Sequence, residues 1–255
     1  MTGSAEGAPD RPSAASGVRR ALAEARFEAG IMLRNGEQLL VALVLPALAL
    51  VGLTRAPWPD LGPHPRIDVV APGVLALAVV SSAFTAQAIQ TGFDRRYGVL
   101  RQLGTTPLGS GGLLAGKAMA VLVVLAVQVI VLGGLALGLG WRPHALLWLE
   151  LVPLLALGAW VCVALALVLA GTFRAEAVLA LANLIWVLVL GFGGVVAPPA
   201  GLTASVVSLL PPGALAGALR SASVEGATAI SQVCALFMWA AVATAVVTRT
   251  FDWRD

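Results

Sequence analysis

Charge is scarce in this chain, since only 11% of its 255 residues are charged and 59% are hydrophobic. Soluble domains carry about 25% charged residues, so the composition argues against a water-soluble fold. The only histidines, His64 and His144, stand beside prolines, and the two cysteines lie within apolar runs. No Cys or second His stands at ligand spacing, so neither a metal site nor a Ser/His/Asp catalytic set gains support.

The sequence contains several long runs of uncharged, mainly apolar residues. A membrane span needs about 20 mainly apolar residues, and in lipid its backbone groups must pair within the segment. The sequence therefore predicts an all-α membrane protein with one transmembrane domain over residues 18–255, after a disordered tail over residues 1–17 rich in Ala, Gly, Ser and Pro. The predicted spans are Gln38–Leu53, Val69–Gly92, Leu113–Gly140, Ala145–Phe173, Glu176–Val196 and Ala229–Thr248.

The basic residues predict the orientation of these six spans, because Arg and Lys near span ends remain in the cytosol. With a cytosolic amino terminus, twelve of the 16 basic residues are inside and four are outside. We therefore expect both termini in the cytoplasm and read the net charge of +3 as a topology signal, with no nucleic-acid partner. The inside residues are Arg11, Arg19, Arg20, Arg26, Arg34, Arg95, Arg96, Arg101, Lys117, Arg174, Arg249 and Arg254, against Arg55, Arg66, Arg142 and Arg220 outside.

Two segments predict helices that lie in or near the membrane surface. Residues 18–35 place Val18, Leu22, Ala25, Ala29 and Leu33 on one helical face, which favours an interfacial helix over a solvated lead-in. Phe27 and Ile31 lie on another side and could contact protein instead of lipid. The basic residues of this helix are Arg19, Arg20, Arg26 and Arg34.

A polar island, Asp94–Leu108, follows the second span, and apolar residues at helical spacing predict a short amphipathic helix in the cytosolic interface. Before the sixth span, prolines bracket apolar pieces too short to cross a bilayer. They predict short re-entrant helices that dip into the outer leaflet or pack over other spans. We expect partial burial of Leu202, Val206, Val207, Leu209 and Leu210.

The search for chemistry yields few candidates. Gly111–Ala118 fits part of a phosphate-binding loop, but Ala118 replaces the magnesium ligand and no strand precedes it, so we expect flexible glycines and Lys117 reaching the interface. Glu150 is the candidate acidic residue within a span, either a structural charge paired with Arg142 or a substrate contact. Other polar residues in spans could line a pathway or hold helices together; they are Gln87, Gln90, Gln128 and Asn183.

A family resemblance becomes specific at the polar island. The stretch Phe93–Leu108, followed by Leu113–Lys117, resembles the signature of the type-2 ATP-binding-cassette (ABC) exporter permeases: an acidic/basic pair, Gly-Thr-Leu, Thr-Pro-Leu and a Gly-Lys before the third span. Val99 stands where the family often has Thr. The order of Arg34–Gly36, Leu209–Pro212, Ala218–Arg220 and Phe251–Trp253 agrees as well, so the resemblance covers the chain after about Val18.

The resemblance implies a six-helix half-transporter, most similar to drug- and antibiotic-efflux permeases of the daunorubicin-resistance kind, in a bacterial plasma membrane. It implies pairing with a second permease and two ATPase subunits that bind ATP and Mg, while this chain binds no cofactor and is not itself an enzyme. The implied coupling residues are Asp94, Arg95, Arg96, Tyr97, Leu100 and Arg101, with Tyr97 and Leu100 filling a groove of the ATPase. Two alternatives remain open: an ion-coupled secondary transporter and a non-transporting membrane scaffold.

Overall fold

A computed structural model describes residues 16–57, 60–199, 201 and 204–250, and within these ranges the chain forms helices and turns without a strand. The described part contains ten helices, numbered in chain order. They are α1 Gly17–Arg34, α2 Gly36–Arg55, α3 Arg66–Arg96, α4 Val99–Gly104, α5 Gly109–Gly138, α6 Ala145–Thr172, α7 Ala175–Phe192, α8 Ala204–Val207, α9 Pro211–Arg220 and α10 Ile230–Thr250. A π-helical segment, Ser221–Glu225, directly continues α9.

Five helices, α3, α5, α6, α7 and α10, are long and apolar enough to cross a membrane. They coincide with five of the six predicted spans, which are thereby confirmed as membrane-length apolar helices. The predicted first span lies within α2, but its apolar part, Ala42–Arg55, is shorter than the other five. Because a crossing needs about 20 apolar residues, the six-span arrangement stays a prediction.

Helix α3 is the buried centre of the bundle and packs against α2, α5, α6 and α9. Its first half is almost wholly buried. A π-helical segment, Val80–Ala86, interrupts the α-helix at about its middle, and π segments of this kind are frequent at functional sites. The segment is fastened on two sides, because the Trp186 indole donates to Ser81 Oγ (2.8 Å) and Ser82 Oγ donates to Gln128 Oε1 (3.0 Å).

The bundle has two ends, which we name by the short helices they carry. The α4 end holds α1, the end of α3, the start of α5 and the α6–α7 turn; the α9 end holds the α5–α6 turn, α9 and the start of α3. At the α9 end, the Arg220 guanidinium is buried and donates to the carbonyl oxygens of Val69 (3.3 Å), Gly194 (2.8 Å) and Val195 (2.5 Å). This one side chain therefore ties α9 to α3 and to the turn after α7.

The segment before α10 contains two short helices, of which α9 is the packed one. It approaches α6 closely where the Leu215 side chain lies against Gly158. The expected partial burial is found for Val207, which is half-buried within this chain, but not for Val206, Leu209 and Leu210, which are exposed. Leu202 lies outside the described residues, and insertion of α8 into lipid stays a prediction.

The predicted disordered tail lies outside the described residues except for its last two positions. Ser16 is the N-cap of α1, its hydroxyl accepting a hydrogen bond from Arg19 N, and Gly17 begins the helix. Helix α1 packs most extensively on α5.

Candidate functional site

The α4 end carries the polar island as a sharp elbow, residues 94–101. Helix α3 ends at Arg96, and the turn Tyr97–Gly98 leads into the short helix α4. Gly98 has φ +76°, a left-handed conformation that a side chain would strain. The glycine thus permits the reversal that presents the elbow at the surface.

Three of the six predicted coupling residues project from the elbow. Tyr97 is 73% exposed, and Arg96 and Arg101 are exposed as well. The Arg96 guanidinium lies 6.0 Å from the Tyr97 ring centroid and also pairs with Glu176 of α7. An exposed aromatic ring flanked by two arginines is the composition typical of a protein-binding surface.

The other three coupling residues face inward. Leu100 is 1% exposed, so in this conformation it anchors α4 to the bundle. This differs from our expectation that Leu100 fills a groove of the ATPase. Arg95 donates from Nη1 to the carbonyl oxygens of Ala170 (3.2 Å) and Gly171 (2.8 Å), near the end of α6. These side chains, with Asp94, hold the elbow in place.

Asp94 belongs to a buried cluster centred on Lys117. The Lys117 side chain is fully buried, pairs with Glu28 of α1 and lies 3.8 Å from the Asp94 carboxylate. The expectation that Lys117 reaches the interface is therefore wrong, because carboxylates from α1 and α3 meet it inside the bundle. Gln90 completes the cluster by donating to Glu28 Oε2 (2.8 Å).

Two glutamates of α1 form the acidic side of this cluster, and the sequence reasoning missed both. Glu24 and Glu28 are buried, and the side chain of Glu24 fills the space above Gly116, whose added Cβ would lie 2.6 Å from Glu24 Cγ. Burial, followed by repulsion from Glu28, raises the pKa of Glu24. Their four-residue spacing on the face of Ala21, Ala25 and Ala29 was the available signal.

The predicted interfacial face of α1 is divided in the structure. Ala25 and Ala29 are buried against the bundle, whereas Val18, Leu22 and Leu33 are exposed. Phe27 and Ile31 are exposed on the opposite side of the buried stripe. Among the arginines, Arg19, Arg26 and Arg34 are exposed and Arg20 is half-buried.

Three of the candidate pathway residues bind neighbouring helices. Gln87 donates to Met32 Sδ (3.5 Å), and Gln90 binds Glu28 as described above. Gln128 accepts from Ser82 and donates to the Ala42 carbonyl oxygen (2.8 Å). This geometry favours the reading in which polar side chains hold helices together.

Glu150 and Asn183 differ from this group. The Glu150–Arg142 pair, one of the two alternatives for Glu150, is absent from the described residues. One Glu150 carboxylate oxygen accepts from the Thr228 hydroxyl. The connection before α10 places Thr228 next to Glu150, a contact that the sequence did not indicate. Asn183 is exposed on α7 and donates to the Leu179 carbonyl oxygen in its own helix (2.8 Å).

Two cavities open beside the α6–α7 turn. The arginine pocket, about 500 Å³, is lined by the end of α3 and the turn, including Arg95, Arg96, Arg174 and Glu176. The apolar groove, about 640 Å³, lies between α3, α6 and α7 and reaches the start of α9. Both cavities include Thr172 and Phe173 in their walls.

The described residues contain no group of three or more His, Cys, Asp or Glu side chains arranged to hold a metal ion. The stretch Gly111–Ala118 lies within the continuous helix α5 and so lacks the loop geometry that cradles phosphates.

Comparison with protein families gives one match, to the family described as ABC-2 type transporter, over residues 22–211. Comparison with curated proteins gives no match. The matched range includes the elbow, the Lys117 cluster, four of the five membrane-length helices and every lining residue of both cavities except Pro212. The chain therefore belongs to the ABC-2 type transporter family and is a membrane-spanning permease subunit of an ABC transporter.

Proposed function

We propose that this permease exports a hydrophobic or amphiphilic substrate, such as a drug, an antibiotic or a lipid-like molecule, from the cytoplasm of a bacterium. A separate ATPase subunit supplies the energy, as the family implies in general. The protein lies in the plasma membrane with both termini and the α4 end in the cytoplasm. Its resemblance to daunorubicin-type efflux permeases supports this choice of substrate class.

The observation that carries the proposal is the Lys117 cluster behind the exposed elbow. Through Lys117, Glu28 and Asp94, the helices α5, α1 and α3 meet at buried charges. Breaking such an interaction leaves a charge buried without a partner. A displacement of the elbow is therefore transmitted to three helices together, as rigid-body motion in transporters requires.

The docking surface for the ATPase is the exposed side of the elbow. Tyr97 supplies a large ring, while Arg96 and Arg101 supply positive charge that sets register and speeds encounter. Leu100 and Arg95 contribute indirectly by fixing α4 and α3. ATP and Mg bind to the ATPase subunit, and this chain hydrolyses no ATP.

A second permease copy, identical or not, completes the transport path. Helix α7 supports this, because only Ala175, Val178 and Ala182 of it are buried in the single chain. Its exposed residues outside the apolar groove, Leu179, Leu184 and Val187, would otherwise face lipid. The substrate would move between the copies, along walls that include α2, α3 and α7.

The experiment is co-purification of the tagged chain with its ATPase subunit from the native membrane. We expect Tyr97→Asp combined with Arg101→Glu to reduce the retained ATPase about tenfold, as loss of a central aromatic anchor does. The matched control, Arg142→Asp, changes an exposed arginine at the α9 end and should retain the ATPase. Leu100 is left intact, because a buried charge there would disturb folding.

Transport measurements separate the alternatives. Export by reconstituted complex should require ATP and should stop in the Tyr97→Asp/Arg101→Glu variant. Export driven by an ion gradient without ATP would identify a secondary transporter. ATP turnover insensitive to every candidate substrate would identify a scaffold. Unchanged ATPase retention by the double variant would contradict the docking surface.

A further inference from the structure

The arginine pocket and the apolar groove lie next to each other, and we call the two together the cleft. They share Thr172 and Phe173, the last residue of α6 and the first of the turn. From there the groove follows α7 to Phe192 and Gly193 and ends at Pro211 and Pro212 of α9. The cleft is thus polar at one end of the membrane-length helices and apolar along their length.

The polar end of the cleft carries excess positive charge. Arg95, Arg96 and Arg174 line the pocket together with a single carboxylate, Glu176. Arg96 is paired with Glu176, and Arg95 donates from one nitrogen to carbonyl oxygens, which leaves its positive charge uncompensated. The Arg174 side chain is exposed and has no polar partner within the part of the chain that the structure describes. Two positive charges in this pocket therefore lack an anion.

The position of the pocket matches the depth of a lipid headgroup. Arg96 ends α3, Thr172 ends α6 and Ala175 begins α7, so the pocket lies at one end of three membrane-length helices. Basic pockets between transmembrane helices at this depth are typical sites for anionic lipid headgroups. Guanidinium groups suit this role because they bind phosphate oxygens in pairs.

The groove provides the matching site for an acyl chain. Its walls include Phe84 of the α3 π segment, Leu165 and Val168 of α6, and Leu188 of α7, with no charged side chain among the lining residues. A soluble phosphate compound would leave this groove unused. The positive charge of the pocket and the apolar walls of the groove therefore favour a ligand that has both an anionic phosphate and an acyl chain.

We propose that this cleft binds one anionic phospholipid, with the phosphate at Arg174 and Arg95 and an acyl chain in the groove between α6 and α7. The site goes beyond the proposed export function, since it requires only that the chain spans a membrane. The bound lipid fills the space between α6 and α7, which make few contacts with each other. It therefore joins α7 to α6 across the groove, while α7 also packs directly on α3.

The test is native mass spectrometry of the full-length chain released from nanodiscs. The nanodiscs contain phosphatidylcholine and phosphatidylglycerol at a ratio of about four to one, which resembles an anionic bacterial leaflet. We expect one retained phosphatidylglycerol per chain. Arg174→Ala should lower its occupancy at least about fivefold, since a charge-assisted contact to phosphate is lost. The matched control, Arg142→Ala at the α9 end, should retain the lipid.

A second pair of variants tests the groove. Leu165→Trp places a bulky indole ring in the groove and should reduce lipid retention. Leu149→Trp lies on an exposed face of the same helix outside the groove and should not reduce it. Monodisperse elution and the thermal unfolding midpoint show whether each variant is folded. If Leu165→Trp fails to fold, Leu188→Trp on the exposed side of the groove replaces it.

Three outcomes would overturn the proposal. The first is equal retention of phosphatidylcholine and phosphatidylglycerol. The second is displacement of the lipid by water-soluble glycerol phosphate, which would show a phosphate site without an acyl chain. The third is a disulfide between two copies of a Leu188→Cys variant lacking the native cysteines, which would show that a second copy covers the groove. Because the chain alone is used, these results do not depend on the ATPase or on export.

Discussion

Lys117 of α5 pairs with Glu28 of α1, and both side chains are buried. This contact joins the first described helix of the chain to the membrane-length helix that follows the elbow. Asp94, 3.8 Å from the same ammonium group, brings in α3. The charges sit toward the α4 end of the bundle and not at its midpoint, which separates this arrangement from the midplane carboxylates common in ion-driven carriers.

Removing Lys117 should destabilise the bundle strongly. In Lys117→Met the carboxylates of Glu28 and Asp94 lose their buried partner, and loss of one partner of a buried pair costs about 3–5 kcal/mol. We expect a lower thermal unfolding midpoint for the detergent-purified chain. Adding Glu28→Gln should recover part of the loss, because one uncompensated charge is removed. A Lys117→Met midpoint equal to that of the unaltered chain would contradict the cluster.

Glu24 makes the docking of α1 depend on pH. Burial and the neighbouring Glu28 raise the pKa of Glu24 above its ordinary value of 4.5, against the opposing effect of Lys117. The folded chain therefore binds this proton more tightly than the unfolded chain does. The resulting stability is complete below about pH 4.5 and is lost as the pH rises through the raised pKa.

We expect Glu24→Gln to reduce the fall in unfolding midpoint between about pH 4.5 and pH 7, because the amide stays neutral across the range. Thermal unfolding measured at several pH values checks this. Asp60→Asn, which changes an exposed carboxylate in the α2–α3 connection, is the control and should follow the unaltered chain. If Glu24→Gln and the unaltered chain showed the same dependence of unfolding midpoint on pH, Glu24 would not be its cause.

Gly73 is the point where α3 meets the turn after α7 most closely. A Cβ at this position would lie 2.0 Å from the Val195 carbonyl oxygen, which is backbone and cannot rotate away. Gly73→Ala should therefore destabilise the chain by about 1–3 kcal/mol through overpacking. Gly134→Ala in α5, where an added Cβ meets nothing within 4 Å, is the matched control and should be neutral or stabilising. Equal unfolding midpoints for the two variants would contradict the close approach.

Arg220 holds the α9 end together through three carbonyl oxygens. Burial lowers the pKa of Arg220 to about 10, so the guanidinium remains charged at neutral pH. In Arg220→Ala the carbonyl groups of Val69, Gly194 and Val195 lose their donor, and an unsatisfied buried group costs about 1–3 kcal/mol. We expect faster proteolysis between α7 and α10. Arg142→Ala serves as the exposed control, and a cleavage rate unchanged by Arg220→Ala would argue against this role.

Local pattern predicted the helical spans well. Five of them required only a run of apolar residues long enough for a bilayer, a property that no distant part of the chain can change. The chain reversal after the second span was also readable, since glycine and charge interrupt the pattern there. The residues of the elbow could be named for the same reason.

The roles of individual side chains were harder to predict. Whether Lys117 reaches water or lies inside depends on the helix that faces it, and Glu28 is distant in sequence. Leu100 and Tyr97 both fall on apolar positions of one short segment, yet one is buried and the other exposed. Glu150 binds Thr228 and not Arg142, because the connection before α10 folds back over the start of α6.

The amino-acid sequence by itself determined that this chain is a helical membrane protein and where most of its spans run, because lipid imposes length and apolarity on each segment separately. Only the tertiary structure decided which charges are buried together, which elbow residues are exposed, and that a basic pocket lies beside an apolar groove. Those features arise where helices distant in sequence meet, and their energies depend on distance and burial that no single segment encodes.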